Sequence, residues 1–211
     1  ASRLTPDVLT VGISVMSGPP IKSAIEIGRH VKSLDPEVPI VWGGPHATFY
    51  PENILDERSV DYVISGYGIK PFDMLVQALT DQTNFFDQIP GLSYRNDEDE
   101  VVTTPFETEL EHVYYRDLPY HLIKDYDVYG QLDHTEKIFS IFSQMGCPYK
   151  CSFCSSPSFL RDFDKVWEKT GADEVVDHIE YVINEYQATY IYFIDDDSFV
   201  SIKYIEEIID E

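Results

Sequence analysis

Apolar residues in the first 84 positions alternate between short continuous runs and runs spaced as on one face of a helix. Continuous runs at 8–14, 39–42 and 60–65 are typical of strands buried on both faces. Apolar residues within 21–31 and 72–79 recur at helical spacing, and a further helix is expected to begin at Pro51. This order predicts a parallel sheet with right-handed crossovers, whose ligand site lies at the carboxyl ends of the strands.

The pattern changes over residues 85–136. Residues 91–95 and 101–104 predict a hairpin with an acidic tip, followed by a stretch rich in tyrosine, proline and acid that we interpret as a connector. From residue 137 the pattern predicts a strand over 138–143 running straight into a cysteine loop, a helix over 173–186, a strand over 190–194 and a helix that begins near residue 202. The predicted domains are therefore 1–84, a connector over 85–136, and 137–211.

The net charge of the chain limits which classes of molecule we expect it to bind. The 211 residues include 38 acidic and 15 basic side chains, a formal net charge of −23. Such a field repels nucleic acid and anionic membrane surfaces, so we expect a small-molecule substrate. The chain contains no apolar run near the roughly 20 residues that span a bilayer, and its start is not typical of a secretory signal.

All the cysteines of the chain, Cys147, Cys151 and Cys154, lie within eight residues. Three thiolates on one loop can bind one soft metal centre, and an iron–sulfur cluster held by three cysteines keeps one iron open. Clustered cysteines without partners elsewhere indicate a reducing cytoplasm. A structural zinc site completed by His134 or His178 is the alternative, although neither histidine lies at a typical zinc spacing.

The cysteine spacing resembles the signature of the radical S-adenosylmethionine (radical SAM) superfamily. The resemblance implies a [4Fe-4S] cluster bound by Cys147, Cys151 and Cys154, with S-adenosylmethionine on the open iron. It also implies that Phe153 packs against adenine or shields the cluster, and that an external flavodoxin- or ferredoxin-type protein donates electrons. The implied fold of this part is the N-terminal portion of a β/α (partial TIM-type) barrel.

The first domain carries a second resemblance. Ser14 and Met16 precede Gly43-Gly44 by about the interval that separates a Ser-x-Leu element from a double glycine in the cobalamin-binding Rossmann-like domain. The resemblance implies that Ser14 hydrogen-bonds the nucleotide base of cobalamin and that Gly43 and Gly44 allow the nucleotide tail to approach the backbone. Met16 stands where the family has leucine.

Other positions fall in ligand-facing loops of that family: Ser17, His46, Gly66 and Gly68. The usual Gly-Glu-Gly-Glu turn has Tyr67 and Ile69 in place of its acids, and the cobalt-ligating Asp-x-His-x-x-Gly motif is absent from this sequence. An ordinary strand-to-helix turn is the alternative interpretation of the double glycine.

Three adjacent carboxylates, Asp195, Asp196 and Asp197, close the predicted strand over 190–194. Asp196-Asp197-Ser198-Phe199 resembles an Asp-Asp-x-Phe element of cobalamin-dependent radical SAM proteins. We expect Asp195 or Asp196 to contact the cationic S-adenosylmethionine and another of the acids to cap the following helix. Mg²⁺ binding is the competing use of such acids.

Taken together, the resemblances imply an α/β chain in which a partial cobalamin-binding domain is joined to the start of a radical SAM barrel. The implied enzyme cleaves S-adenosylmethionine to a 5′-deoxyadenosyl radical and uses cobalamin to methylate an unactivated carbon. The alternatives are a radical SAM enzyme without cobalamin, such as a methylthiotransferase or cyclase, and a non-enzymatic zinc module. Substrate-selecting strands are expected to lie beyond Glu211, so we expect no catalysis from these residues alone.

Overall fold

The computed structural model describes residues 5, 7–108, 113–123, 136–156 and 166–211. The chain divides into two compact units, residues 1–111 and 112–211, and each has its own sheet and core. Within the described ranges, no helix combines the length and the apolar character that crossing a membrane requires. The α/β fold class predicted from the sequence is confirmed.

A five-stranded sheet forms the first unit, with its strands in chain order. The strands are β1 (Val11–Ser14), β2 (Ile40–Gly43), β3 (Tyr62–Ile64), β4 (Leu92–Arg95) and β5 (Val101–Thr103). The helices are α1 (Pro20–Leu34), α2 (Pro45–Phe49), α3 (Pro51–Leu55) and α4 (Ile69–Asp81). The first three strands are parallel, as the strand–helix alternation predicted, whereas the short helix α2 was not predicted.

Helices cover both faces of this sheet at β2, which explains the continuous apolar run of that strand. Ile40 and Trp42 of β2 pack with Val31 of α1 in one core. Val41, between them in sequence, points to the other face and packs with Leu75 of α4. Because successive strand residues face opposite sides, both sets of side chains have to be apolar.

The predicted hairpin is confirmed as β4 and β5, and it extends the first sheet. β4 pairs antiparallel with β3, so the structure assigns the hairpin to the first unit, whereas the sequence placed it in the connector. Arg95 strengthens this attachment, since its guanidinium donates to the carbonyl oxygens of Leu55 and Val60. The tip is also held, because Arg58 forms two hydrogen bonds of 2.6 and 2.8 Å with Asp99.

The second unit contains two pairs of strands. β6 (Ile138–Ile141) runs parallel to β9 (Tyr190–Phe193), and β7 (Gln144–Gly146) runs antiparallel to β8 (Trp167–Lys169). Its helices are α5 (Ala172–Tyr186) and α6 (Ile202–Asp210). The prediction of one strand that runs through residue 143 into the cysteine loop was wrong. β6 ends at Ile141, and a second strand, β7, directly precedes the cysteine loop.

His178 of α5 is a packing residue of the second unit. Its ring stacks on Tyr115 with centroids 4.8 Å apart, and its Nε2 lies 2.8 Å from the hydroxyl of Tyr120. Burial lowers the pKa of His178, and the negative charge of Glu174 opposes this only in part. The fold therefore favours the neutral imidazole, and the structure assigns His178 to the core, where it is 7% exposed. His134, the other histidine considered for zinc, lies outside the described residues.

We expect the contribution of His178 to stability to fall as the pH drops. The pKa of His178 in the folded chain lies below the ordinary 6.5. As the pH falls through this range, His178 binds a proton more readily in the unfolded chain than in the folded one, so folding becomes less favourable. Urea unfolding of the wild type and of His178→Gln at pH 7.5 and 5.5 tests this expectation. The stability advantage of the wild type is expected to shrink at the lower pH. An advantage that does not change with pH would contradict the assignment.

Candidate functional site

The predicted ligand loops of the first unit all follow the carboxyl ends of its parallel strands. Ser14 ends β1, Gly43 ends β2, and Ser65 to Gly68 follow β3. The first two loops are joined by the backbone, because the Val15 N–H donates to the Gly43 carbonyl at 2.9 Å. The structure therefore brings Ser14 and the double glycine together at one edge of the sheet, as the sequence predicted for a parallel arrangement.

Gly44 lies where a side chain would not fit. Its φ is +89°, a conformation that residues with a Cβ rarely adopt. A Cβ built on Gly44 would lie 2.8 Å from Ser14 Oγ and 3.0 Å from the Val15 nitrogen. Glycine at this position therefore lets the second loop pass directly against Ser14, and the distance to a backbone atom leaves little room for adjustment.

Small residues leave part of one sheet face open at β1 and β2. Gly12 and Ser14 share a face of β1 by strand alternation, and both are exposed. The Phe72 ring of α4 lies 3.5 Å from where a Cβ of Gly12 would be. Within the part of the chain that the structure describes, and apart from its chain neighbours, a Cβ on Gly43 would meet only the Ile64 carbonyl oxygen, at 4.0 Å. A flat ligand could therefore lie against the backbone on this face.

Thr48 of α2 is a residue that the sequence reasoning missed. Its hydroxyl donates to the Gly44 carbonyl at 3.2 Å and accepts from the Gly66 N–H at 2.9 Å, so it ties the second loop to the third. A threonine four residues after a glycine that begins a helix could have indicated this bond. Gly66 itself has φ +79°, and the Phe106 ring lies 3.3 Å from where its Cβ would be.

The remaining predicted residues of the first unit surround the same loops. Ser17 Oγ lies 3.0 Å from Nδ1 of the half-buried His46, so the first and second loops share a side-chain hydrogen bond. Met16 is 58% exposed beside them. Gly68 precedes the first residue of α4 at the end of the third loop. A ligand contact for each of these residues stays a prediction.

The cysteines of the second unit lie on the loop that follows β7. Cys147 is half-buried, Cys151 and Cys154 are exposed, and none forms a disulfide. A turn joins the last two, since the Cys154 N–H donates to the Cys151 carbonyl at 3.1 Å. Among the residues that the structure describes, no group of three His, Cys, Asp or Glu side chains is arranged to hold a metal ion. The donor chemistry fits an iron–sulfur cluster, and the ligand set stays a prediction.

Asp195 connects the end of β9 to the segment between β6 and β7. Its Oδ1 accepts from the Ser143 N–H at 2.7 Å and from the Gln144 N–H at 3.2 Å. Its Oδ2 accepts from the hydroxyls of Ser143 at 2.6 Å and Ser198 at 2.9 Å. Both oxygens thus accept hydrogen bonds within the protein, and the amides of residues 143 and 144 both donate to this side chain.

Gln144 and Tyr204 complete this connection. The fully buried Gln144 side chain donates to the Asp197 carbonyl at 2.8 Å and accepts from Trp167 Nε1 at 2.8 Å. The Tyr204 hydroxyl lies 2.6 Å from the Ser143 carbonyl and 2.7 Å from that of Thr170. Burial raises the pKa of Tyr204 to about 12, so this hydroxyl keeps its proton for those carbonyls at neutral pH.

The other two carboxylates of the acidic run differ in their surroundings. Asp196 is exposed, and its Oδ1 lies 3.3 Å from Ser156 Oγ. Asp197 Oδ1 accepts from the Phe199 N–H at 2.9 Å and so closes a turn. The prediction that one of these acids caps the next helix was wrong, because Ser201 caps α6 by accepting from the Tyr204 N–H at 3.3 Å.

Comparison with known proteins agrees with the two predicted parts. Residues 1–76 match the model of the B12 binding domain. The chain is 28% identical over 216 residues to the anaerobic magnesium-protoporphyrin IX monomethyl ester cyclase of Rubrivivax gelatinosus, covering 99% of this chain and 37% of the cyclase. It is 29% identical over 167 residues to the cobalamin-dependent radical SAM methyltransferase TokK of Streptomyces tokunonensis, covering 75% of this chain and 24% of TokK.

A solved structure shares the fold. The radical SAM methyltransferase TsrM of Kitasatospora setae, with cobalamin and a [4Fe-4S] cluster bound, superposes on 96% of this chain with a TM-score of 0.65 at 19% identity. This chain covers 40% of TsrM. The chain thus spans well under half the length of these three relatives.

We expect Gly44→Ala to destabilise the first unit by about 1–3 kcal/mol, since it combines backbone strain with overpacking. Gly18→Ala is the matched control, because Gly18 also has a positive φ of +105° but no described residue beyond its chain neighbours lies within 4 Å of its Cβ position. Urea unfolding of both variants separates the two contributions. Equal losses for the two variants would show that the close approach to Ser14 costs nothing.

Proposed function

We propose that this chain, which belongs to the radical SAM proteins that carry a B12 binding domain, forms the cofactor-binding part of an enzyme that methylates a small molecule at an unactivated carbon. The observation that carries the proposal is the set of three free cysteines on one solvent-facing loop, in a chain whose residues 1–76 match the B12 binding domain. When bound, the cofactors supply reductive cleavage of S-adenosylmethionine to a 5′-deoxyadenosyl radical and a transferable methyl group.

In this proposal the cysteine loop holds the [4Fe-4S] cluster through Cys147, Cys151 and Cys154. Because three thiolates bind a four-iron cluster, one iron stays open for the amino and carboxylate groups of S-adenosylmethionine. Phe153 supports this arrangement: its ring is 92% exposed between two cysteines, and a bound adenosyl group would cover that apolar surface. Asp196 is exposed, and a carboxylate has acceptor capacity beyond the single hydrogen bond from Ser156 that the described residues provide.

Cobalamin would bind at the loops after β1, β2 and β3. Ser14 would hydrogen-bond the nucleotide base, and the face left open by Gly12 and Gly43 would receive the nucleotide tail. Met16, Ser17, His46, Gly66 and Gly68 surround this place and would shape its rim. The support is the exposure of Ser14 and the absence of a Cβ at the neighbouring glycines, since a ligand can approach backbone closely only where side chains are missing.

Transfer of a methyl group is the outcome we propose, although relatives with different reactions share this architecture. TokK is a methyltransferase by name, whereas the Rubrivivax relative is a cyclase. We also propose a flavodoxin- or ferredoxin-type electron donor and a cytoplasmic location. Exposure of Cys151 and Cys154 supports access by a donor protein, and three free thiols are compatible with a reducing compartment.

We expect Cys154→Ala to lower the iron and sulfide bound per chain by at least about 10-fold after anaerobic reconstitution. Mutating a residue that only hydrogen-bonds to a metal ligand already lowers metal affinity by about that factor, and removing the ligand itself should lower it at least as much. Ser152→Ala, in the same loop, is the matched control and should load normally. Iron, sulfide and zinc analysis with S-adenosylmethionine cleavage assays measures the effect. Unchanged loading and cleavage in Cys154→Ala would refute the proposal, and a colourless wild type with stoichiometric zinc would favour the zinc module.

We expect side chains added at Gly43 to weaken corrinoid binding without unfolding the protein. Among the described residues, its chain neighbours aside, only the Ile64 carbonyl oxygen lies within 4 Å of its Cβ position, so the fold has room for a Cβ there. Gly43→Leu would overpack the corrinoid site at a cost of about 1–3 kcal/mol, which weakens binding by about 5- to 150-fold. Titration with hydroxocobalamin should show a smaller effect for Gly43→Ala. Wild-type affinity in a folded Gly43→Leu would place the corrinoid elsewhere.

A further inference from the structure

The residue that the sequence predicted as a contact of S-adenosylmethionine is already engaged in the structure. All four hydrogen bonds of the Asp195 carboxylate go to residues 143, 144 and 198 of this chain. Gln144 begins β7, and β7 ends one residue before Cys147. The Asp195 carboxylate thus accepts a hydrogen bond from the first residue of β7, the strand that precedes the cysteine loop.

We propose that Asp195 is a positioning residue that fixes the start of β7 against the end of β9 and thereby sets where Cys147 enters the cluster loop. The inference rests on the proposed function and assigns to Asp195 a role other than contact with S-adenosylmethionine.

Burial supports a positioning role. Ser143 is 0% and Gln144 1% exposed, so their amides cannot exchange the carboxylate for water. An amide left without a partner in such a place destabilises the fold, because its lost hydration is not replaced. Ser143 lies between β6 and β7 and Gln144 begins β7, where the chain leaves one sheet for the other. The carboxylate accepts hydrogen bonds from both of these amides.

A second set of bonds holds the same segment from its other side. Gln144 joins the Asp197 carbonyl to the indole of Trp167, which lies on β8. β8 pairs with β7, and Trp167 is directly opposite Gly146 in the register. The position of β7 is therefore determined jointly by the run after β9 and by β8. Removing Asp195 would delete its carboxylate bonds to residues 143 and 144, which lie a few positions before Cys147, and would leave the bond of Gln144 to the Asp197 carbonyl.

Asparagine can reproduce the geometry without the charge. In Asp195→Asn, the amide oxygen can accept from the two backbone N–H groups, and the amide NH₂ can donate to the hydroxyls of Ser143 and Ser198, which accept as readily as they donate. A carboxylate that acted through its charge on a cationic ligand would lose its effect in this variant. The pair Asp195→Asn and Asp195→Ala therefore separates positioning from direct contact.

The experiment compares wild type, Asp195→Asn, Asp195→Ala and the surface control Asp177→Ala. Each is reconstituted anaerobically with iron and sulfide and then measured for iron per chain, for the electron paramagnetic resonance spectrum of the reduced cluster, and for S-adenosylmethionine affinity. We expect Asp195→Ala to bind about 10-fold less iron or to give an altered cluster spectrum. Asp195→Asn should keep about half of the wild-type iron or more, with the wild-type spectrum, because neutral hydrogen bonds are weaker than charge-assisted ones.

Three outcomes would overturn the inference. Full iron loading and an unchanged spectrum in Asp195→Ala would show that the cysteine loop does not depend on Asp195. Equal iron loss in both variants would show that the charge matters and not the geometry. Normal iron in both variants with lost S-adenosylmethionine affinity in both would establish direct contact instead.

Two further results keep the inference and the proposed function distinguishable. A wild type that binds no cluster overturns the proposed function, and this inference falls with it, whereas the outcomes above overturn the inference alone.

Should Asp195→Ala not fold, as judged by circular dichroism, Ser143→Ala replaces it. That variant deletes one hydroxyl bond of 2.6 Å and keeps both amide bonds. It should show an intermediate loss of iron, and full loading in folded Ser143→Ala counts against the inference.

Discussion

Burial of strand side chains against helices is the constraint on which the rest of this structure depends. Where helices cover a sheet, its strands have to be apolar, so polar chemistry is confined to the loops at strand ends. In the first unit, Trp42 and Val41 point into opposite cores, and the polar and glycine residues begin where β2 ends. In the second unit, Phe139 and Ile141 are the buried residues of β6, and the buried polar residues Ser143 and Gln144 come after the exposed Phe142.

The two units differ in the residues that pack and form hydrogen bonds at the ends of their strands. The first uses glycine and short polar side chains, so that Gly44 passes against Ser14 and Thr48 bonds two loops together. The backbone there stays accessible, which suits a large flat cofactor. The second uses a single carboxylate, Asp195, to satisfy amides and hydroxyls around it. The segment before Cys147 is therefore closely held, whereas the loop that bears Cys151 and Cys154 is exposed.

The roles predicted from the sequence for the acidic run Asp195-Asp196-Asp197 differ from those that the tertiary contacts indicate. Sequence reasoning treated Asp195 and Asp196 as equivalent candidates, because both follow a strand. The structure separates them: among the described residues, Asp195 makes four hydrogen bonds, whereas the exposed Asp196 makes one, of 3.3 Å to a side chain. The helix cap that an acid was expected to provide comes from Ser201. His178 likewise proved to be a packing residue stacked on Tyr115.

The sequence by itself determined the α/β class, the parallel strands with their helices, the hairpin and the cysteine loop, because hydrophobic period and residue spacing are local properties. Only the tertiary structure decided that the hairpin joins the first sheet, that β7 and β8 pair before and after the cysteine loop, and that Asp195 bonds residues 143 and 144. Those features depend on partners some 20 to 50 positions apart. No local pattern encodes which of many possible partners a buried amide or carboxylate will meet, since that choice is made by packing.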